Sequence, residues 1–573
     1  MSTAIRTIFT VLILLVMSEA STVYQTLYID KILPYPESNK PVISANYSFP
    51  GPLIEAYHGD TLVITVINRL SVATTMHWHG LYQIGTPDMD GAVGATQCAI
   101  PAGGNFTYIF KADPPGTAWY HGHMLEQYTD GLFGPLIIRR QFEPNREQYD
   151  TEQLLMVSDW YNYIARGKLT SWYLSSNNPD GIEPLPDATV VNGKFTKSLL
   201  IPATRSSRIR FRVINAASLS MYKVSIDGLP LHIIELDQQD MVPYNVSSFV
   251  INVAQRVSFY IDLRELDSIY SQLGISSTNS IFIRFEAMTD MYPVDILNYI
   301  PPYAIQRYAY PTFFNPLYLA ILSLDLTNSI PTYEPRDPAP TLPTVNLHSD
   351  TNMLAARPFN QSNYVIPNAT HYLNLVVKFA LDNTGINRGY MNDVTYAFQG
   401  NFTRVKPTLI VGIKPVKKEP LLHQMATRPN TLGLPSPRIQ AGSPLPMIQN
   451  DGYGNYLIPY GAVVDIFINN TDGGEHPFHL HGSSFWIIST SEYAAAENLY
   501  RQAYIKRDVV SVPGGGWAKI RFVADNPGAW MFHCHIEWHM AAGLMLTFIV
   551  SPTQLLAQGY TISNSQLDLC NAA

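Results

Sequence analysis

Four short motifs hold most of the metal-binding side chains of this 573-residue chain. Histidine imidazoles and cysteine thiolates are common protein ligands of copper and zinc. Ten of the fifteen histidines and one of the three cysteines fall in the motifs His77-Trp78-His79-Gly80, His121-Gly122-His123, His476-Pro477-Phe478-His479-Leu480-His481-Gly482 and His533-Cys534-His535-Ile536-Glu537-Trp538-His539. This concentration predicts a metal centre that binds more than one ion.

The alternation of side chains along a β-strand divides these ligands into two sets. Residues i and i+2 of a strand point to the same face, so each His-x-His presents two imidazoles side by side. Four such pairs supply eight neutral imidazoles, which suits three copper ions, two sharing six ligands and one taking two. Cys534 points away from the two histidines beside it, and His476, at an odd step from His479, turns away from that pair. With His539, these two residues make the ligand set of a trigonal blue-copper electron-transfer site.

Two simpler interpretations of the motifs are weaker. A single His-x-His is often structural or an accidental surface pair, but four spaced copies are not explained in this way. Structural zinc takes four ligands and normally more cysteine than this chain offers. The other histidines are expected to be structural or at the surface: His58, His232, His348, His371 and His423.

Three stretches of alternating apolar and polar residues predict the scaffold that carries the motifs. They span residues 59–68, 207–215 and 461–469, and each ends at an asparagine. Period-two alternation is typical of strands with one buried face, and three copies at wide spacing predict three related β domains. Residues 113–123 and 525–535 resemble each other, so the first and third domains carry metal motifs at matching places. The predicted domains are residues 21–148, 149–335 and 336–573.

The N-terminus predicts an exported protein. Residues 1–20 combine Arg6, an apolar stretch too short to cross a bilayer and a small-x-small cleavage site, as in a signal peptide. A membrane anchor is the alternative, but we expect a secreted glycoprotein with no membrane span in the mature chain. Seven N-x-S/T sequons support this expectation: Asn46, Asn105, Asn245, Asn360, Asn368, Asn401 and Asn469.

Composition and cysteine usage narrow the class further. The net charge is −8 and there is no run of lysine or arginine, which argues against a nucleic-acid partner. Only 14% of residues are charged, and the 35 tyrosines and 42 prolines favour turn-rich β structure over helical bundles. Cys534 lies between two metal-binding histidines, which leaves Cys98 and Cys570 as the expected disulfide. We expect a monomer.

The four motifs resemble the signatures of the multicopper oxidases, the family of laccases, ascorbate oxidases and iron oxidases. The resemblance covers nearly the whole mature chain and implies an all-β protein of three consecutive cupredoxin-like Greek-key β-barrel domains with four copper ions. The implied type 1 copper ligands are His476, Cys534 and His539. The implied trinuclear cluster lies between domains 1 and 3, with His77 and His479 on type 2 copper and His79, His121, His123, His481, His533 and His535 on the type 3 pair.

The resemblance also implies how the reaction runs. Single electrons from a reducing substrate enter at the type 1 site, and Cys534, adjacent to two type 3 histidines, carries them to the cluster, where O₂ is reduced to water. Asp90 and Glu537 match family acids near the type 2 copper and the type 3 pair, where protons must be delivered. An Asp-Gly turn and a solvated glutamate are the simpler interpretations. Leu544 matches the axial position, where a residue that cannot coordinate raises the type 1 potential.

The choice of electron donor depends on residues outside the four motifs. Fungal laccases often carry an acid before the Ser-Ile-Asp-Gly stretch of their second domain, and here Leu219 holds that position. Glu183 resembles a glutamate that binds ferrous iron in fungal iron oxidases, and Asp290 lies roughly where a second such acid occurs. We expect a laccase-like oxidase of phenols or aromatic amines with O₂ as acceptor, and oxidation of Fe²⁺ or ascorbate is the alternative. A secreted copper-binding cupredoxin protein without turnover is the alternative from a different class.

Overall fold

The computed structural model describes residues 20–35, 39–274, 279–292, 315–324, 357–359, 366–396, 419–429, 432–440, 443–492 and 504–572. Strands dominate these ranges and the helices are short, so the predicted all-β class is confirmed. Most of the predicted signal peptide, the sequons at Asn360 and Asn401, His348 and the predicted boundary near residue 335 lie outside the described residues. Within the described ranges, no helix is long and apolar enough to cross a membrane.

The first domain is built from two four-stranded sheets. Its strands are β1 (Thr22–Ile32), β2 (Val42–Ala45), β3 (Ile54–Tyr57), β4 (Thr61–Asn68), β5 (Met76–His79), β6 (Asn105–Lys111), β7 (Gly116–Gly122) and β8 (Phe133–Arg139). The sheet orders are β2-β1-β4-β6 and β3-β8-β7-β5. Burial alternates strictly along β4, because Leu62, Ile64 and Val66 pack into the core of this domain. Short 3₁₀ turns span Pro87–Met89 and Leu125–Gln127.

The second domain has a six-stranded and a five-stranded sheet. Its strands are β9 (Thr151–Trp160), β10 (Ala188–Val191), β11 (Leu200–Pro202), β12 (Arg208–Asn215), β13 (Tyr222–Ile226), β14 (Leu231–Leu236), β15 (Gln239–Val246), β16 (Ser248–Ile251), β17 (Arg256–Asp262), β18 (Ser280–Ala287) and β19 (Leu317–Ser323), and its helices are α1 (Thr170–Tyr173) and α2 (Leu266–Gln272). The sheet orders are β10-β9-β12-β17-β14-β15 and β11-β19-β18-β13-β16. Further short turns span Arg146–Gln148, Ala165–Leu169, Leu263–Glu265 and Thr289–Met291.

The third domain repeats the two-sheet arrangement. Its strands are β20 (His371–Leu381), β21 (Asn387–Met391), β22 (Arg438–Ile439), β23 (Pro446–Met447), β24 (Asn455–Ile458), β25 (Val463–Asn470), β26 (His476–Leu480), β27 (Phe485–Thr490), β28 (Lys506–Arg507), β29 (Val509–Val512), β30 (Trp517–Val523), β31 (Gly528–Cys534) and β32 (Met545–Val550). Its helices are α3 (Leu421–Thr427), α4 (Glu537–Ala541), α5 (Pro552–Ala557) and α6 (Asn564–Ala572). The sheet orders are β22-β23-β20-β25-β30-β27-β28, with β21 on β20, and β24-β32-β31-β26-β29.

The three predicted alternating stretches occupy the same place in each domain. β4, β12 and β25 each pair in parallel with the first described strand of their domain and antiparallel with a later strand. The asparagine that ends each strand, Asn68, Asn215 or Asn470, donates its amide to backbone carbonyls and accepts the N–H of residue i+2. In the third domain this residue is Asn470 and not the predicted Asn469, because strand alternation buries position 470 and turns Asn469 outward.

A disulfide bond joins the first and third domains. The disulfide Cys98–Cys570 spans 472 residues and joins α6 to the first domain. β8 ends at Arg139 and β9 begins at Thr151, and the predicted boundary at residue 148 lies between these two strands. The boundaries themselves, export and the monomeric state stay predictions.

Candidate metal centre

Two pairs of strands, one in the first domain and one in the third, carry the His-x-His motifs. In the first domain β5 pairs with β7, and their register sets His77 opposite His121. In the third domain β26 pairs with β31, which sets His479 opposite His533. All eight histidines of the four pairs are buried. The first and third domains therefore meet with these imidazoles between them.

The imidazoles fall into three groups, two of which share His79. Within each group, one ring nitrogen of every member lies within 4.8 Å of those of the others. The groups are His77, His79 and His479; His79, His121 and His535; and His123, His481 and His533. Two sets of three and a remaining pair match the division into six and two imidazoles that strand alternation predicts.

Hydrogen bonds orient several of these rings so that one nitrogen faces the centre. Nδ1 of four rings donates to a backbone carbonyl: His77 at 2.8 Å, His121 at 3.1 Å, His479 at 2.9 Å and His533 at 3.0 Å. The buried ring nitrogens without a hydrogen-bond partner include Nε2 of His77, His121 and His479, Nδ1 of His79, and both nitrogens of His123 and His535. Buried polar atoms are normally paired, so these converging lone pairs fit bound metal ions.

Burial favours the neutral form of seven of the eight imidazoles by lowering their pKa. Desolvation and then the neighbouring rings lower the pKa of His481 to about 4 and the pKa of His533 to about 3. Desolvation likewise holds the pKa of five further rings well below the ordinary value: His79, His121, His123, His479 and His535. The neutral imidazole is the form that binds metal, so the pocket suits copper electrostatically as well as geometrically.

A second cluster lies beside the first. Nδ1 of His476 and Nδ1 of His539 are 2.9 Å apart, and the Cys534 sulfur is 3.7 Å and 3.4 Å from them. Burial raises the pKa of the Cys534 thiol, but His539 and His476 outweigh burial and bring this pKa down to about 7. Two imidazole nitrogens and a sulfur with thiolate character form the ligand set of a trigonal copper site.

Two carboxylates cover the outer side of this second cluster. His539 Nε2 donates to Glu183 Oε1 at 2.8 Å, and His476 Nε2 donates to Asp472 Oδ2 at 3.2 Å. The histidine side chains are 5% and 0% exposed, whereas those of Glu183 and Asp472 are 15% and 32% exposed. The carboxylates therefore stand between the solvent and the imidazoles. Burial raises the pKa of Asp472, but the hydrogen bond and charge of His476 overcome this effect and lower the pKa to about 2.

Hydrogen bonds between side chains and the neighbouring backbone hold both carboxylates in place. Asn178 exchanges side-chain hydrogen bonds with the N–H and carbonyl of Ile182, which fixes the loop that presents Glu183. Asn470 accepts the N–H of Asp472 at 3.0 Å, and Asp472 Oδ2 accepts the N–H of Gly474 at 3.1 Å. The repeated asparagine turn that ends β25 thus delivers an acid to His476.

The two predicted proton-supplying acids are both buried. Asp90 Oδ2 accepts from His481 Nδ1 at 2.9 Å, and the Asp90 carbonyl accepts from His77 Nδ1, so this residue touches two rings of the centre. Gly91, at φ +88°, completes an Asp-Gly turn, so the turn and the contact with the centre coexist. Glu537 begins α4 and is 1% exposed, which contradicts a solvated glutamate. Desolvation, followed by the charges of Glu126 and Asp130, raises the pKa of Glu537 well above its ordinary value.

The predicted axial residue lies beside the second cluster. Leu544 is fully buried in the same core cluster as Cys534, and its carbonyl accepts the Cys534 N–H at 3.1 Å. Met540 and Met545 pack in a different cluster with Ala92. The apolar environment of Cys534 is consistent with Leu544 as the axial neighbour, which stays a prediction.

The remaining substrate candidates lie in different surroundings. Leu219 is 1% exposed, so its side chain does not form an open substrate wall. Asp290 is exposed in the turn Thr289–Met291, and its charge acts on Glu475, the residue before His476. The acid that contacts His476 is Asp472, which the sequence prediction missed. Its position two residues after the repeated asparagine and four before His476 was a usable signal.

Similarity to known proteins extends over all three domains. Family profiles described as multicopper oxidase match residues 29–143, 151–299 and 418–554. The chain is 32% identical to the iron transport multicopper oxidase fetC of Epichloe festucae, over 93% of this chain and 76% of that protein. It is 28% identical to Laccase-2 of Cryptococcus neoformans, over 92% of this chain and 84% of that protein.

Solved structures show the same architecture. The crystal structure of Fet3p, a multicopper oxidase that functions in iron import, matches with a TM-score of 0.76 and 25% identity, over 96% of this chain and 95% of that one. The laccase from Botrytis aclada shares the fold, with a TM-score of 0.70 and 23% identity over 96% and 92% of the two chains. The relatives include iron oxidases and laccases, and the family complement of four copper ions fits the two ligand clusters. From its sequence, fold and ligand clusters, the chain belongs to the multicopper oxidase family.

Proposed function

We propose that this protein is an O₂-reducing oxidase whose electron donor is Fe²⁺, bound at Glu183 and Asp472 beside the type 1 copper site. The observation that carries the proposal is that each carboxylate accepts a hydrogen bond from Nε2 of one type 1 histidine. The imidazoles of His476 and His539 lie 4.7 Å apart between ring centroids, so both carboxylates belong to one patch. Partly exposed carboxylate oxygens attract and ligate hard divalent cations.

The same proposal assigns the predicted residues to four copper ions. His476, Cys534 and His539 would hold type 1 copper, and His77 and His479 would hold type 2. One type 3 copper would take His79, His121 and His535, and the other would take His123, His481 and His533. When bound, copper accepts and donates single electrons, which couples a one-electron donor to the four-electron reduction of O₂ to water.

Side chains of this protein would bind the iron and pass its electron to the metal centre. Glu183 and Asp472 bind Fe²⁺ at the surface, and each carboxylate is one hydrogen bond away from an imidazole whose Nδ1 faces Cys534. Two negative charges stabilise Fe³⁺ more than Fe²⁺, so they favour electron loss from the bound ion. Cys534 is covalently adjacent to His533 and His535, which gives the electron a short route inward. Proton supply by Asp90 and Glu537 stays a prediction.

Phenol oxidation, the laccase-like prediction, is the second candidate. Laccases occur among the relatives, and a carboxylate beside a type 1 histidine is also a suitable acceptor for a phenol proton. The buried Leu219 provides no such contact. Ascorbate is an anion at neutral pH, so the two carboxylates would repel it. Because the two carboxylates attract a cation and repel an anion, we propose Fe²⁺ as the first of these electron donors.

Oxygen uptake with Fe²⁺, ascorbate and 2,6-dimethoxyphenol tests the choice. Glu183→Gln and Asp472→Asn remove a negative charge that attracts Fe²⁺ and keep an acceptor for the histidine, so each should lower kcat/KM for Fe²⁺ by roughly 10–100-fold. The phenol rate and the visible type 1 absorption should change little. Glu265→Gln, an exposed glutamate of the second domain, is the matched control.

Three results would point elsewhere. If wild-type protein oxidises the phenol orders of magnitude faster than Fe²⁺, and the two variants slow only the phenol reaction, the laccase-like function replaces the iron one. If ascorbate is the fastest donor, the electrostatic argument is wrong. If copper-loaded protein consumes no O₂ with any donor, the chain is a copper-binding protein without turnover.

A further inference from the structure

A buried ion-pair network outside the predicted ligand set reaches the metal centre. It consists of Asp237 and Arg256 from the second domain and Arg507 and Asp508 from the third. These residues are 2%, 0%, 7% and 4% exposed, respectively. The proposed copper ligands all come from the first and third domains, so this network is a direct contact of the second domain with the centre.

Arg256 contacts all three domains through its guanidinium group. Its Nη1 donates to Asp508 Oδ1 at 2.6 Å and its Nη2 donates to Asp508 Oδ2 at 2.5 Å. Its Nε donates to the carbonyl of Thr117 at 2.9 Å, in the strand that leads to His121. Within its own domain, Nη2 also donates to Gln238 Oε1 at 3.2 Å. The nitrogens of the planar guanidinium therefore donate to residues of all three domains, and a lysine ammonium cannot reproduce this geometry.

Asp508 connects this network to two histidines of the centre. Its carbonyl accepts from His479 Nδ1 at 2.9 Å, and its Oδ1 lies 3.4 Å from His79 Nε2. These contacts leave His479 Nε2 and His79 Nδ1 directed at the centre without a hydrogen-bond partner. The two rings stack with centroids 3.7 Å apart, so one residue orients both. Partners of this kind set ligand orientation and metal affinity.

The surroundings fix Asp508 from its other side. Arg507 donates to both oxygens of Asp237 at 2.9 Å and 2.8 Å, and the Asp508 N–H donates to Asp237 Oδ2 at 3.3 Å. Gly80, directly after His79, has φ +95°, and a Cβ there would lie 2.3 Å from Gln238 Oε1 and 3.0 Å from Arg256 Nη2. The absence of a side chain next to a proposed ligand therefore makes room for the second domain.

We infer that Arg256 is a positioning residue through which the second domain holds His79 and His479 in register for copper. The inference rests on the proposed copper ligands and is independent of the electron donor. Without the guanidinium fork, Asp508 keeps a buried charge but loses its bidentate partner, so it can turn away from His79. A type 3 ligand and a type 2 ligand should loosen together, while His476, Cys534 and His539 keep their arrangement.

Arg256→Lys in copper-loaded full-length protein tests this inference. Copper per protein is measured before and after dialysis against a chelator, together with the visible type 1 absorption and the type 2 electron paramagnetic resonance signal. We expect the variant to keep its type 1 absorption and to retain trinuclear copper roughly 10–100-fold more weakly than the wild type, with loss of the type 2 signal. Arg284→Lys is the matched control, because it alters an equally buried bidentate pair of the same domain, with Asp227.

Several outcomes would overturn the inference. One is that Arg256→Lys retains copper and the type 2 signal as well as Arg284→Lys does. Another is that type 1 absorption disappears together with trinuclear copper, because Arg256 would then be a general stabiliser of the fold. If Arg256→Lys does not fold, Asp508→Asn is the second test, because it keeps the backbone carbonyl that His479 contacts and alters the side chain that faces His79. An undisturbed trinuclear site in Asp508→Asn also overturns the inference. Wild-type protein that binds fewer than four copper ions would instead refute the proposed ligands.

Discussion

Glu235 is a buried carboxylate that links the first two domains, and its charge should make the fold sensitive to acid. It accepts from the Thr117 N–H at 2.6 Å, from the Thr117 hydroxyl at 2.9 Å and from the Ser258 hydroxyl at 2.7 Å. Arg210 and Arg212 pair with the same group. Burial raises the pKa of Glu235, but the two arginines and these hydrogen bonds overcome burial and lower the pKa to about 2.

The lowered pKa gives the size and the sign of the effect. The ordinary value is 4.5, so the fall to about 2 corresponds to about 3 kcal/mol of stability at neutral pH. Because the folded pKa lies below the unfolded one, this stability is present above pH 4.5 and is lost as the pH falls towards 2. Glu235→Gln should therefore cost about 3 kcal/mol at pH 7, comparable to breaking a buried ion pair, and less than half as much at pH 3.

Urea unfolding of copper-loaded wild type and Glu235→Gln between pH 7 and pH 3 measures this difference. Glu265→Gln, with an exposed carboxylate of the same domain, is the control and should match the wild type throughout. A destabilisation by Glu235→Gln that stays constant across this range, or grows in acid, would refute the reasoning, because the cost would then be one of packing and not of charge.

Three further changes have definite expected outcomes. Asp88→Asn should raise the free energy of unfolding at pH 7 by up to about 3 kcal/mol. Burial raises the pKa of the Asp88 carboxyl to about 6, so above that pH the folded wild type holds a buried charge that asparagine does not carry. Calorimetry should find that gain nearly absent at pH 4, and an equal gain at both pH values contradicts it. Asp90→Ala should weaken copper retention against a chelator roughly 10–100-fold, because His481 loses its 2.9 Å acceptor, and unchanged retention would exclude this role. Leu544→Met should lower the type 1 potential in a redox titration, because a thioether can coordinate, and an unchanged potential would remove Leu544 from the axial position.

Strand alternation made much of the site predictable. It separates Cys534 and His476 from the His-x-His pairs, and the structure places them in a different cluster from the eight imidazoles. The same alternation shows which asparagine ends β25. The sequence prediction chose Asn469, but Asn469 points outward and the buried residue is Asn470. Local periodicity therefore specifies which residues share a face. The prediction of the terminal asparagine was wrong by one residue, because two asparagines are adjacent at that position.

Contacts between domains were not predictable in this way. Arg256 and Asp508 are separated by 252 residues and belong to no motif, so only the packed fold brings them together. Glu183 was identified by resemblance, but its hydrogen bond to His539 comes from a loop of another domain, 356 residues away. The contact of Asp472 with His476 was not predicted either, because it depends on a turn and not on a strand pattern. Asp290 stays a prediction, and its charge acts on the neighbouring Glu475.

The identity of the electron donor is tested most directly by the ratio of kcat/KM for Fe²⁺ to that for 2,6-dimethoxyphenol, measured by O₂ uptake. The ratio should be high in the wild type and should fall at least 10-fold in the double variant Glu183→Gln/Asp472→Asn, which keeps an acceptor for each type 1 histidine, so the phenol reaction should be preserved. An Fe²⁺ preference that is absent in the wild type, or that survives the loss of both carboxylates, would contradict iron binding at this site.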